Sequence, residues 1–226
     1  MLKKLILAIA ILSFSSSLFA QKEEVRNLKP FESIHAYKGI NVVLEEGDTA
    51  RVRVMIENGE LSDVLTDVEG HTLKIRMQTK IYKDVAVTAV VTYKKLVEIV
   101  ASTGAEVTGD ETLTGDKIKL KCNTGSSIRL NVETNSIDLD ASEGSNMTIS
   151  GSTQILNTRA SAGSNIEAGD LVSEDAYAKS SSGASILIHV NNTLEANATL
   201  GGSVVFSGKP ENTDFKTSLG GNVSPQ

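Results

Sequence analysis

Cys122-Asn123-Thr124-Gly125-Ser126-Ser127-Ile128, Ala141-Ser142-Glu143-Gly144-Ser145-Asn146-Met147 and Ala160-Ser161-Ala162-Gly163-Ser164-Asn165-Ile166 are three copies of one pattern. A short polar residue stands two before the glycine, a small one directly after it, and an apolar one three after it. The pattern extends to Gly104, Gly125, Gly144, Gly163, Gly183, Gly201 and Gly220, at intervals of 21, 19, 19, 20, 18 and 19 residues. Such a period signals a repeat architecture, each repeat being one structural unit stacked on the last. Upstream of the glycines apolar residues alternate, as in Ile118 and Leu120 or Ile137 and Leu139. Alternation marks strands, because successive side chains point to opposite faces. The glycine and its polar neighbours suit a tight corner, since glycine accepts positive φ and Ser or Asn can bond the local backbone.

One repeat therefore reads strand, glycine corner, strand, looser turn. The same motif recurring in register predicts a chain coiled so that each strand lies over its equivalent one turn earlier. That is an all-β parallel β-helix, or solenoid, of about 19–20 residues per coil, right-handed by the rule for parallel crossovers. Inward columns stack like on like: Cys122 on Ala141 on Ala160, and Ile118 on Ile137 on Leu156. Outward columns bring Lys119 beside Asp138, and Lys121 beside Asp140 and Arg159, an arrangement in which neighbouring opposite charges attract.

Ahead of the repeats, Val42–Leu44, Arg51–Ile56, Thr72–Met77 and Val85–Val91 read as strands. Leu61, Val64, Leu65 and Val68 carry the spacing of one short amphipathic helix over about residues 60–69. Gly39 partly fits the repeat, so residues 30–46 read as a first coil followed by an elaborated cap, which a solenoid needs to cover its end. The organisation expected is a signal peptide over 1–20, an N-terminal β-rich section over 21–100 and repeated coils over 101–226, with 21–226 forming one continuous domain.

The signal peptide rests on Lys3 and Lys4, the apolar run Leu5–Leu12, and Leu18-Phe19-Ala20 before the cut. The run is too short and too Ser-interrupted to be a stable span, so the mature chain is expected to be exported to the periplasm or the outer surface without a membrane span. A net charge of -6 with no basic cluster disfavours nucleic acid. Cys122 is the only cysteine, which excludes an internal disulfide and reads as a buried structural thiol. Aromatic residues are 4% of the chain and Trp is absent, which argues against an aromatic platform for sugars.

No catalytic constellation emerges and no cofactor is implied. Asp138 and Asp140 are the acids best placed for polysaccharide cleavage, yet they read as a solvated face paired with Lys119, Lys121 and Arg159. His35, His71 and His189 lack ligand spacing, so no metal site is expected. A polar ladder two residues after the glycines, Ser127, Asn146, Asn165 and Ser185, continuing through Ser203 and Asn222, offers hydroxyls and amides suited to sugars or a regular polymer; its plainer reading is corner chemistry.

Gly39-Ile40-Asn41, with Phe31-Glu32-Ser33-Ile34 before it, the Val-rich strand after it, the Leu61–Val68 segment and the later Ser-x-Gly-Ser/Ala coils, resembles the head GIN domain family of auto-transporter adhesins, common in Bacteroidetes. Thr92-Tyr93-Lys94-Lys95-Leu96 departs from that family, lacking a proline shortly before the leucine. Asp48-Thr49-Ala50 resembles the short O-glycosylation signal of Bacteroidetes periplasmic proteins. The resemblance implies a secreted β-helical protein with an adhesion-type role. The function expected is an exported, non-enzymatic cell-envelope protein that binds a glycan or a cell-surface component or serves as structure, with self-association through stacked coils. The alternative is a β-helix that binds or processes polysaccharide.

Overall fold

A computed structural model describes residues 22–226, so the signal peptide expected over 1–20 lies outside the described residues. The chain runs through sixteen strands: β1 (Lys22–Asn27), β2 (Ser33–Tyr37), β3 (Asn41–Glu46), β4 (Arg51–Glu57), β5 (Val64–Glu69), β6 (Thr72–Met77), β7 (Ala86–Tyr93), β8 (Glu98–Ser102), β9 (Glu106–Asn123), β10 (Ser127–Ala141), β11 (Asn146–Ala160), β12 (Asn165–Ser181), β13 (Ser185–Thr199), β14 (Ser203–Gly208), β15 (Asn212–Ser218) and β16 (Asn222–Pro225). From β9 onward each strand pairs in parallel with its equivalent one coil away. This is a β-solenoid of about seven turns. The stacks read from the sequence are its register: Ile118, Ile137 and Leu156 lie abreast, as do Cys122, Ala141 and Ala160.

The glycine corners have a feature that the pattern does not announce. The residue before each glycine also has positive φ, 49–59°, followed by 65–78° at the glycine itself, from Lys38-Gly39 through Leu219-Gly220. Two successive positive φ values are the signature of a type I′ turn, and the closing bond runs, for example, from Ser145 N to Ser142 O at 3.3 Å and from Gly202 N to Thr199 O at 2.9 Å. From Gly39 to Gly201 each corner glycine N–H donates along the solenoid axis to the next coil, as Gly125 N does to Glu143 O and Gly144 N to Ala162 O, both 3.0 Å.

The small residue after the glycine points into the core. Ser145 Oγ donates to Cys122 O of the previous coil (2.7 Å) and accepts from Ser142 N (3.1 Å). Ser126 and Ser164 repeat this with Ala101 O and Ala141 O. Where Ala184 takes that place, Ser180 supplies the hydroxyl from across the corner, donating to Ala184 O at 2.8 Å. In the next coil the backbone of Ser180 comes so close that a Cβ at Gly202 would sit 2.6 Å from its carbonyl, so only glycine fits.

Two faces flank the corners. The leading face carries the stretch entering each corner (117–123, 136–141 and their equivalents). The trailing face carries the stretch leaving it. Apolar residues of both faces alternate inward to the core, with Ile118, Leu120, Ile128, Ile137 and Leu139 at most 2% exposed. The alternation slips at the second bend, where Asn135 and Ser136 both lie outside. There the buried Thr134 hydroxyl reaches Asp116 O and Ser136 O, at 3.0 and 3.1 Å.

The first coil, β2 and β3, lies directly on the second: β2 on β8 and β3 on β9, both parallel. Residues between them form the cap. β7 adds in parallel to β3, β4 antiparallel to β7, and β1 antiparallel to β4. On the other face β6 adds in parallel to β2, and β5 antiparallel to β6. The helix expected over about 60–69 is not formed. One 3-10 turn, Leu61–Asp63, leads into strand β5. Val64 and Val68 satisfy a period of two as well as a period near four, and the edge of β6 decides for the strand by pairing with residues 64–69 in an antiparallel ladder. Glu60 offers no side-chain cap that would start a helix.

Candidate functional site

The leading face is built of outward columns that the register fixes. Six residues before each corner glycine stand Glu98, Lys119, Asp138, Asn157, Tyr177, Glu195 and Asp214; two residues further on stand Val100, Lys121, Asp140, Arg159, Lys179, Asn197 and Lys216. The columns therefore bring together Lys119 with Asp138, and Lys121 with Asp140 and Arg159, as the sequence implies. Asp138 takes Lys117 Nζ at 3.0 Å and the Asn157 amide at 2.9 Å, while Asp140 faces Arg159 at 4.0 Å. Glu98 draws Lys121 (3.5 Å) and Lys119 (3.9 Å). At the C-terminal coil Lys216 Nζ meets Asp214 at 3.0 Å, and this hydrogen bond holds its ammonium above the usual value.

Two shallow grooves cross this face. One, of about 400 Å³, is walled by Lys179, Glu195, Asn197, Asp214 and Lys216. The other, of about 380 Å³, is walled by Asp138, Asp140, Asn157, Arg159 and Lys179. Tyr177 stands between them, lines both, and is 39% exposed. It is the only aromatic residue of these outward columns in the repeated coils. Behind it the core column thins from Leu120 and Leu139 to Thr158, Ala178 and Ala196, and Ala178 and Ala196 floor the first groove. An apolar ring amid carboxylates, amides and cations can stack on a sugar ring while its neighbours bond the hydroxyls.

Composition argues against an aromatic platform for sugars, yet Tyr177 stands exposed between the two grooves. The chain-wide count is low, but the repeat offset carries the signal: counting six back from Gly183 gives the one ring in a column of Asp, Asn, Lys and Glu.

The ladder Ser127, Asn146, Asn165 and Ser185 is in register on the trailing face. It continues to Ser203 and Asn222 at one end and to Glu106 and Asn41 at the other. Asn165 Nδ2 bonds Glu167 at 3.0 Å. The Gly39-Ile40-Asn41 triplet is the first corner. Gly39 N bonds Thr103 O, Ile40 is fully buried where later coils place Ser, Ala or Gly, and Asn41 heads the ladder. Leu96 closes the proline-less 92–96 segment, buried at 1%.

Cys122 is buried. Burial pushes its thiol up, while contacts to Ser126 Oγ (3.2 Å) and Asn146 O (3.4 Å) pull the other way. The three histidines lie apart. His189 Nδ1 meets Ser207 Oγ at 3.0 Å, and His71 lies exposed next to β6. Among the described residues no three of His, Cys, Asp and Glu are grouped to hold a metal, and no helix is long and apolar enough to cross a membrane.

A family model described as "Putative auto-transporter adhesin, head GIN domain" matches residues 30–210. No curated protein matches. Among solved structures, a putative adhesin from Bacteroides fragilis is similar with a TM-score of 0.83 at 16% identity, covering 92% of this chain and 97% of its own. A putative adhesin from Parabacteroides merdae gives 0.75 at 17%, covering 91% and 96%. A putative lipid binding protein from Parabacteroides distasonis gives 0.65 at 16%, covering 90% and 96%. At these identities the likeness is one of fold.

Proposed function

The chain belongs to the head GIN domain family of adhesin-like proteins, and from that membership we propose that it is an exported, non-enzymatic binding protein of the cell envelope that takes a glycan on its leading face, around Tyr177. The observation that carries the reading is the exposed ring between two grooves whose walls alternate Asp, Asn, Lys, Arg and Glu. Sugars combine apolar ring faces with dense hydroxyls, and that mixture is what such walls fit. Export is supported by Lys3, Lys4 and the apolar run Leu5–Leu12.

Asp138 and Asp140 border one groove, but a cleaving enzyme needs acids free to exchange protons. Asp138 is held by Lys117 and Asn157, and Asp140 faces Arg159, which favours binding over cleavage. An acyl lipid would ask for an apolar cavity, and the walls here are charged. The Ser127–Asn146–Asn165–Ser185 ladder belongs to the trailing face and is a rim to this proposal rather than its centre.

The test is a glycan array followed by calorimetry on the best ligand. Tyr177→Ala is expected to weaken binding about tenfold or more, at the scale of one lost stacking contact, with the melting temperature unchanged. A glycan bound equally well by Tyr177→Ala, or binding only to lipid vesicles, sinks the reading. Antibody labelling of intact and then permeabilised cells separates surface from periplasm.

A further inference from the structure

We propose that two copies of the chain join through their C-terminal coils, β15 of one pairing antiparallel with β15 of the other about Phe215. β15 pairs with β13 along one edge, and its other edge has no partner among the described residues. All seven of its residues are exposed. Its ring is nonetheless oriented as a core residue. Phe215 lies in register with the buried Ala196 and packs on Phe206 with centroids 5.6 Å apart, yet it remains 42% exposed, with no strand beyond it among the described residues. At the last two corners Leu200 is 54% and Leu219 75% exposed. This end of the molecule is thus an open sheet edge with apolar side chains beside it, which is a template for another strand.

The sequence of the strand selects the partner. Asn212-Thr213-Asp214-Phe215-Lys216-Thr217-Ser218 is inverted in charge about its middle. In antiparallel self-pairing about Phe215, Asp214 stands opposite Lys216 of the partner subunit, Lys216 opposite Asp214 of the partner subunit, and Thr213 opposite Thr217 of the partner subunit. Phe215 then meets its own equivalent across the two-fold axis. Charged pairs fall on the outer face and rings and threonines on the inner face, which is the division the rest of the solenoid keeps. Opposed charges directly across a strand pair attract, and like charges there repel.

The other end of the molecule is a poor mate. β1 carries Lys22, Glu23, Glu24 and Arg26 within six residues, the charged kind of edge that resists pairing. Arg26 lies across from β1 to Leu61 O and Val64 O, at 2.8 and 2.6 Å. A two-fold contact uses up the open edge and closes at the dimer, where a head-to-tail contact would grow a filament. The groove walled by Asp214 and Lys216 would then continue from one copy onto the other.

Sedimentation equilibrium and light scattering on the purified protein across a wide concentration series test this. The wild type is expected to dimerise. Asp214→Lys sets lysine against lysine twice and is expected to weaken the dimer about tenfold, two opposed pairs changing sign. The double exchange Asp214→Lys with Lys216→Asp restores opposite charges across the axis and is expected to restore the dimer. Both positions are exposed, and matching melting temperatures would establish that the variants fold. A monomer at every concentration, a dimer that Asp214→Lys leaves unchanged, a double exchange as weak as the single one, or growth beyond two copies would each overturn the proposal.

Discussion

The corners repeat one demand on single residues: two peptide groups in the left-handed region and, at Ser126, Ser145 and Ser164, a hydroxyl inside that bonds the backbone of the turn and of the coil before it. Ser145, fully buried, both donates to Cys122 O and accepts from Ser142 N. Ser145→Ala removes both bonds at once, while Ser142 N keeps its own bond to Cys122 O at 2.9 Å, so the expected loss is about 1 kcal/mol in urea unfolding. His35 makes a different prediction. Burial lowers its pKa from 6.5 against the opposing pull of Glu98, whose Oε2 lies 3.8 Å from Nε2; Lys74 and Lys121 add to the lowering, and Tyr37 OH sits 3.3 Å from Nδ1. The unfolded chain therefore binds more protons than the folded one just below pH 6.5. Stability is full above that value and is lost as pH falls through the folded pKa. Relative to His35→Gln, the wild type should lose melting temperature between neutral pH and about pH 5; parallel curves would show that His35 does not titrate differently on folding.

At the scale of the element, one side chain ties β1 of the cap to the 61–66 segment. The Arg26 guanidinium donates to Leu61 O, Val64 O and Thr66 Oγ1. Arg26→Ala should raise hydrogen exchange in β1 and in residues 61–69 while leaving β9–β13 protected, because the coils find their partners without it. The cap is also where the sequence misleads. Val64 and Val68 serve a helix and a strand equally, and what separates the two is the edge of β6, which no local window contains. The coils are legible because their information is local and repeated: one glycine offset fixes the corner, the inward columns and the Lys119–Asp138 opposition together. The offset also marks Tyr177, but only if the outward columns are read position by position. The second positive φ at each corner, borne by Thr124, Glu143, Ala162 and even Leu200, leaves no mark on residue choice, because the stacked backbone bonds impose it.

For the molecule as a whole, each coil touches only its neighbours, so damage should spread by position. Ile137→Asp, burying a charge in a central coil, should cost several kcal/mol and open exchange over most of the solenoid. Val204→Asp, equally buried in the wild type, should open mainly β14–β16. Exchange measured by mass spectrometry distinguishes these outcomes, and equal spread from both sites would mean that the solenoid unfolds as a single unit.

The corner intervals vary from 18 to 21, and the register shows where the difference goes. Partners slip between Arg129 and Asn131 against β9, between Thr148 and Ser150 against β12, and between Ala168 and Val172 and again between Ser173 and Asp175 against β13. These slips lie four to twelve residues past a corner, and the strand entering the next corner is back in step each time. In the history of such a chain, single-residue insertions and deletions have a place to land without turning the Tyr177 face inside out, since a slip of one in a strand would swap its two faces. The length of that face is held to a coarser rule. It grows or shrinks by whole coils, about 4.8 Å at a time, while a change of one residue is absorbed before the strand that enters the next corner.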